Sequence, residues 1–442
     1  GEEIQKSLAQ GMVAHDAFLG WERIGRLPKF LLGFTSRVFD PQSGRLLDTP
    51  DIDCIQSLRQ ICLAHGKVQV HDDRQSPDWN RRAAAKVRAA YSRYIRCEKE
   101  VREADRYRTS EEISLFQKSA WLLYGDVFDV LNREIESGEL VPMHGPGSTA
   151  DRLSGNEKFR CRSWTSRLDH VFPMDRNVIP NSRYWKHLGL IELLEPSAEQ
   201  PVRVVCVPKN AKGPRIIAME PTCMMFMQQA ISRRLVTLLE ANDFRYQGIV
   251  GFSDQTPNQR LAQEGSRSGN YATLDLSDAS DRVSNQLVRA MLRPWPALSE
   301  AVDATRSRKA DVPGYGVIRL AKFASMGSAL CFPIEAIVFS AIAMIGIAQA
   351  LNLPLSRRLV SNMAREVRVY GDDIIVPTAM APSVVHALDT FGSRVNVSKS
   401  FWTGKFRESC GKEYYDGHDV SITRVRRELP TQRQDVADVV SA

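Results

Sequence analysis

The sequence predicts a mixed α+β fold, and three stretches carry that prediction. Val367 to Pro377 sets β-branched and aromatic residues on either side of Gly371, Asp372 and Asp373, with Val367, Val369 and Tyr370 before the break and Ile374, Ile375 and Val376 after it. That is the composition of a tight hairpin in a buried sheet. Ala272, Leu274 and Leu276 alternate with Thr273 and Asp275, the period of a strand. From Ser280 onward the spacing of Val283, Leu287, Ala290 and Met291 turns helical. Ala336 to Ala348 is an apolar run that reads as a core helix, and Pro333 fits it only in the first turn.

The chain has 442 residues, 43% of them hydrophobic, enough for a substantial core and a prior of about three domains. Its 59 Lys and Arg against 52 Asp and Glu give a net charge of +7, which suits a polyanionic partner without requiring one. The eight cysteines lack Cys-x-x-Cys spacing, so neither a zinc site nor a disulfide framework is expected, and reduced thiols fit a cytosolic compartment. The longest apolar run falls short of the ~20 residues that cross a bilayer, so no membrane is expected as a partner. A start on Gly1 rather than Met reads as a processed or trimmed product.

Residues 1–140 read as mainly helical and highly charged. Between Arg81 and Arg108, ten Lys or Arg and four acids interleave with apolar residues at helical spacing, an amphipathic helix with a solvated basic face or an accessory RNA surface. His144 to Arg152 is a loop whose glycines and Ser148, Thr149 and Arg152 suit a phosphate, or form a plain Gly-Pro-Gly turn. Arg203 to Met219 reads as two strands joined by a basic loop. Lys209, Lys212 and Arg215 cluster there, suited to a triphosphate or to an exposed hairpin tip. A Met-rich helix follows from Glu220 to Asn242. Phe323 to Ala329 is a small-residue loop leading into the apolar helix. Beyond the hairpin, Val384 to Leu388 suggests a helix, Val395 to Phe401 a strand carrying Lys399, and Phe406 to Tyr415 a hairpin turning at Cys410 and Gly411. Thr423 to Ala442 reads as frayed.

Asp275 at the end of one strand and Asp372 with Asp373 in a turn are what a two-metal phosphoryl-transfer site requires. Such a site holds two Mg²⁺ about 4 Å apart, with Mn²⁺ a possible substitute. Adjacent carboxylates at the mouth of a buried sheet repel each other and lose hydration unless a cation sits beside them. Asp278 and Asp281 are equally read as favourable charges near a helix N-terminus. Lys209, Lys212 and Arg215 would orient a triphosphate, and Lys399 would donate a proton to the leaving group.

Taken in order, Pro-Lys-Asn-x-Lys at 208–212, Asp-Leu-Ser-x-Ala-Ser-Asp at 275–281, Ser-Met-Gly at 325–327, Tyr-Gly-Asp-Asp at 370–373, Asn-x-x-Lys-x-Phe at 396–401 and Phe-Arg-Glu-Ser-Cys-Gly at 406–411 form one set. The set resembles the RNA-dependent RNA polymerases of single-stranded RNA bacteriophages, the levivirus or Qβ type, over about residues 144–420. The resemblance implies a right-hand architecture of fingers, palm and thumb with an antiparallel ferredoxin-like palm sheet. Residues 1–140 and 141–267 would be accessory and fingers, 268–292 palm, 293–322 a fingers insertion, 323–420 palm again, and 421–442 a short or truncated thumb. Metal binding would fall on Asp275, Asp372 and Asp373 with the Leu276 carbonyl, and triphosphate contact on Lys209, Lys212 and Arg215. Ser325, Met326 and Gly327 would form the mobile substrate loop, with Lys399 as proton donor. The implied partners are a single-stranded RNA template, ribonucleoside triphosphates, host elongation factors Tu and Ts and a ribosomal protein, in the cytoplasm of a bacterial host.

Two departures stand out. Many viral polymerases place a second Asp five residues after the first and read the ribose 2′-hydroxyl with an Asn in the Ser-Gly helix. Here position 280 is Ser, Asp281 lies one residue further, and 325–340 contains no Asn, so Asp281 is the candidate reader. A reverse transcriptase shares the palm, but commonly carries an aromatic residue just after the first Asp, and 276–284 contains none. The residues also leave room for a non-catalytic RNA-binding protein or a metal nuclease, although a nuclease would have no need of the 209–215 cations.

Overall fold

The computed structural model describes residues 33–64, 77–153, 155–179, 181–210, 213–241 and 248–425. Among them the amino-terminal part is helical, as its charge pattern predicts: α1 Ile52–Leu63, α2 Pro77–Tyr107 and α3 Ser110–Glu136. A reciprocal cap opens α3, with Thr109 accepting from the Glu112 amide at 3.2 Å and Glu112 accepting from the Thr109 amide at 2.8 Å. The basic stretch of α2 is one continuous helix. Its apolar face, including Tyr91 and Tyr94, packs on Val202, Val204, Ala218, Ala310 and Val312.

Short strands β1 Ser163–Thr165 and β2 Glu192–Leu194 pair in parallel. The basic segment forms the expected antiparallel hairpin, β3 Val202–Asn210 with β4 Gly213–Met219, followed by α4 Thr222–Glu240 and α5 Thr256–Ser268. The next strand is β5 Tyr271–Asp275, followed by α6 Asn285–Leu292 and α7 Pro296–Thr305. The helix does not begin at Ser280. Ala279–Asp281 is a single 3-10 turn, and Ser284 starts α6 by accepting from the Gln286 and Leu287 amides at 3.0 and 3.3 Å. Strands β6 Lys309–Val312 and β7 Gly316–Arg319 join the first hairpin in a sheet of order β4-β3-β6-β7, with β3 and β6 parallel.

The apolar run lies inside α8 Cys331–Ala350, with Pro333 in the first turn. By length and composition α8 could cross a membrane, yet 94% of its most apolar window is buried inside the protein. It covers the hairpin β8 Arg368–Tyr370 and β9 Asp373–Pro377, and it lies against α9 Ala381–Thr390. The helices approach closely at Gly346, where a Cβ would sit 2.6 Å from Val384 Cα. Gly346→Ala is therefore expected to destabilise the fold by about 1–3 kcal/mol, read from the denaturant midpoint.

The central antiparallel sheet has the order β5-β9-β8, with Asp275 opposite Asp373 and Tyr370 also opposite Asp373. Residues 395–401 run along the free edge of β5, but not as the continuous strand their composition suggests. Only the bridges Val395 to Leu276 and Phe401 to Thr273 form. Between them Ser398 donates to Asn396 Oδ1 at 2.8 Å and the Lys399 amide to the Asn396 carbonyl at 2.9 Å, a local turn that outcompetes the ladder. The hairpin β10 Phe406–Ser409 with β11 Lys412–Tyr415 does turn at Cys410 and Gly411, both at positive φ (49° and 75°), and β12 His418–Asp419 extends it. All eight cysteines are free thiols.

Glu220, between β4 and α4, is 4% exposed and accepts from the Ser307 hydroxyl. Burial pushes its carboxyl up to about 7. Since that lies above its value in an unfolded chain, its contribution to stability is complete below about pH 4.5 and is lost as pH rises through 7. Glu220→Gln should therefore raise stability at pH 8, on the order of 1–2 kcal/mol, and leave it nearly unchanged at pH 5, checked by thermal melts at both values.

Candidate active site

Asp275 ends β5 where the strand leaves the sheet, and Asp372 occupies the turn between β8 and β9, made possible by Gly371 at φ 61°. Both open onto one cleft of about 610 Å³. The opposite wall carries Lys209 and Arg215 from the first hairpin, and Asp281, Asn396 and Lys399 complete the lining. Six chain segments far apart in sequence thus meet at one end of the central sheet. Lys212 lies outside the described residues.

Asp275 is held on both carboxylate oxygens. Asn396 Nδ2 donates to Oδ2 at 2.8 Å, and the Lys399 ammonium lies 3.5 Å from Oδ1. Its backbone is pinned as well, with the amide donating to Ser400 Oγ at 3.0 Å and the carbonyl accepting from the Asn396 amide at 2.8 Å. The local turn that breaks the 395–401 strand is therefore what brings Asn396 and Lys399 to Asp275. Asn396 is a site residue that sequence reasoning left without a role, although it stands three residues before Lys399.

Asp373 does not face the cleft in the same way. It accepts from the Cys410 amide at 3.1 Å, on the side of the β10–β11 hairpin. The Ser325 hydroxyl meets the Tyr94 hydroxyl at 3.0 Å, and Gly327 packs against the backbone of β4, so of this loop it is Met326 that lines the cleft. No residue of the His144 to Arg152 loop lines this cleft: its Gly145 and Gly147 carbonyls accept from Lys158, and Thr149 is buried against Thr222.

Residues 194–440, more than half of the chain, match the family described as RNA replicase, beta-chain. The chain belongs to the RNA replicase beta-chain family. Its relatives include the RNA-directed RNA polymerase subunit beta of Escherichia virus Qbeta, 40% identical over 228 residues, 51% of this chain and 36% of that one. The corresponding subunit of Enterobacteria phage SP is 31% identical over 358 residues, 77% of this chain and 57% of that one. The beta chain of Escherichia phage MS2 is 37% identical over 224 residues, 51% and 37% of the two chains. The chain thus spans between about a third and somewhat over half of these relatives. Among solved structures, an RNA-dependent RNA polymerase of BmCPV at its elongation state aligns with 73% of this chain and 30% of its own, at 12% identity and a TM-score of 0.43, too loosely to assign a fold.

In this replicase-family chain the site carries opposed charge at close range. Asp372 stands exposed at the turn but is flanked by protein on its sides, and that desolvation, with the charge of Asp275, holds its carboxyl above the ordinary range. Burial and the neighbouring Asp372 push Asp373 up to about 7. Glu335, in the first turns of α8, also lines the cleft. Burial, then Asp372 and Asp281, drive it well above the carboxylate range. Glu335 stands just before the apolar run at 336–348, and the sequence alone gives it no role. On the facing wall, burial lowers the Lys209 ammonium, and Arg215 and Lys399 lower it further. Burial also works against the charge of Lys399, but Asp275 and Glu408 more than offset it, so Lys399 stays above the usual lysine range.

Among the described residues no three His, Cys, Asp or Glu side chains converge as a ready-made metal cage. The donor chemistry nevertheless fits a hard divalent cation. Asp275 and Asp372 offer only oxygen, and behind the larger effect of burial Asp275 raises the Asp372 carboxyl and Asp372 that of Asp373, a repulsion that a divalent cation would relieve.

Proposed function

We propose that this chain carries the nucleotidyl-transfer centre of a phage replicase, copying an RNA template into RNA from ribonucleoside triphosphates. One observation carries the reading: Asp275 and Asp372 open onto a single cleft whose other wall presents Lys209 and Arg215. Carboxylates alone would suit a nuclease. The added cations suit a triphosphate, which places a pyrophosphate leaving group next to the acidic wall.

In this reading Asp275 and Asp372 hold Mg²⁺, with Asp373 and the Leu276 carbonyl as further ligands, and Mn²⁺ able to substitute. When bound, the ions supply charge neutralisation at the triphosphate and acidify the attacking 3′-hydroxyl. Lys209 and Arg215, with Lys212, bind and orient the phosphates. Lys399, kept protonated by Asp275 and Glu408, is placed to give a proton to the departing pyrophosphate. Asn396 fixes the rotamer of Asp275. Asp281 reads the ribose 2′-hydroxyl, and Ser325 to Gly327 form the loop that seats the nucleotide.

Topology supports a ferredoxin-like palm. Residues 395–401, β5, β9 and β8 lie side by side in that order, with α8 connecting β5 to β8 and α9 connecting β9 back to 395–401. On this reading 268–292 and 323–420 are palm. Residues 141–267 and 293–322 are fingers, sharing the β4-β3-β6-β7 sheet, residues 1–140 are accessory to them, and 421–442 are assigned to the thumb. Family resemblance is the support for host elongation factors Tu and Ts, a ribosomal protein and the bacterial cytoplasm.

The test is incorporation of labelled ribonucleotides, and in parallel deoxyribonucleotides, on a single-stranded RNA template with Mg²⁺. RNA product that depends on template supports the reading. DNA product would make the chain a reverse transcriptase. RNA binding without product, even with host extract added, would make it a binding protein.

A further inference from the structure

Lys322 is a fully buried lysine that the proposed chemistry does not use. It stands on the segment between β7 and the Ser-Met-Gly loop, and its side chain has no solvent exposure. Its ammonium lies 3.2 Å from Asp281 Oδ1, 4.0 Å from Glu98 Oε2 and 3.3 Å from the centre of the Tyr94 ring. A buried ammonium is costly unless its surroundings supply this much negative charge.

The backbone beneath it is fixed. Its carbonyl accepts from Arg306 at 2.6 Å, its neighbour's amide donates to Glu98, and it bridges to Ser284 at the start of α6. Asp281 sits in a one-turn 3-10 segment closed by its own amide on the Asp278 carbonyl at 2.9 Å and by the Arg282 amide on the Ala279 carbonyl at 3.1 Å, bonds that fix its backbone and leave its carboxylate to be placed by Lys322. Asp281 also shares the cleft lining with four further carboxyl groups, Asp275, Asp278, Glu335 and Asp372. Lys322 is absent from that lining. It therefore holds Asp281 from behind and leaves the ammonium shielded from any nucleotide.

We infer that Lys322 is a positioning residue that fixes the Asp281 carboxylate for discrimination between ribose and 2′-deoxyribose. Tyr94 and Glu98, one turn apart on α2, seat the ammonium. Through its hydroxyl Tyr94 also ties this cluster to Ser325 of the Ser-Met-Gly loop. The apolar face of α2, rather than its basic face, thereby becomes part of the site. The inference rests on the polymerase reading with Asp281 as the ribose reader.

The test measures kcat/KM for a ribonucleotide and its matched deoxynucleotide on one RNA template, in wild type, Lys322→Met, Asp281→Ala and the double variant, with thermal melts as a folding control. Lys322→Met should lower the ribose preference about tenfold, mostly through the ribonucleotide KM, and should add nothing once Asp281 is Ala. If Lys322→Met does not fold, Tyr94→Leu, which removes the ring that seats the ammonium but keeps the charge, should produce a smaller loss of the same kind. Unchanged preference in a folded Lys322→Met or Tyr94→Leu chain would overturn the inference. So would losses that multiply in the double variant. A wild-type chain that incorporates neither nucleotide, even with host extract added, would instead overturn the polymerase reading, and the inference with it.

Discussion

Asp372→Asn is expected to abolish template-directed incorporation, by about a thousandfold or more, without loss of folding stability. Asn keeps the size of the side chain and the tight turn at Gly371, so the β8–β9 hairpin has no reason to change. What it removes is one of the two carboxylates, Asp275 and Asp372, read as holding the metal, and several kcal/mol of charge stabilisation at a reacting phosphate corresponds to a loss of this size. The stability side has its own sign. Asp372 is held above the ordinary carboxylate range by desolvation and by Asp275, so a neutral side chain relieves repulsion when no divalent cation is present. Initial rates with Mg²⁺, and melting curves with and without it, read the two effects separately. A variant with near wild-type rates would remove Asp372 from the chemistry.

Gly327→Ala should reduce the rate by about a hundredfold or more, with a smaller cost in stability. Gly327 has φ 130°, a backbone region that side chains rarely adopt, and a Cβ there would fall on the carbonyl oxygen of Ala218. Ala218 is a buried residue of β4 whose amide donates to the Met326 carbonyl at 2.8 Å. The strand cannot retreat, because it is paired with β3 and covered by α2. The loop must give instead, and Met326 leaves the cleft wall. Displacement of about 1 Å near a reacting centre is enough for such a loss. Separate KM and kcat values for the nucleoside triphosphate would show a positioning defect in both, and unaltered kinetics would mean that the loop position does not matter to turnover.

Both substitutions act on features that local sequence already marks. A Gly before two acids between β-rich runs fixes a hairpin, because period-two alternation and a positive-φ turn are properties of adjacent residues. The same is true of strand β5, the amphipathic α2 and the turn at Cys410 and Gly411. In each case neighbours within a few positions decide the outcome.

The sequence by itself therefore determined the α+β elements, the acidic ends of β5 and of the β8–β9 hairpin, and the basic loop between β3 and β4. Only the tertiary structure decided how they face. It brought Asn396 and Lys399 onto Asp275 by breaking a strand that composition alone favours. It turned Asp373 toward the Cys410 amide, and it placed Lys322 behind Asp281 with Tyr94 and Glu98 from a helix nearly two hundred residues earlier. The physical reason is that the interactions of a buried charge are set by whichever groups the packed chain carries to it. Those groups come from distant segments, and no spacing rule within one stretch encodes them.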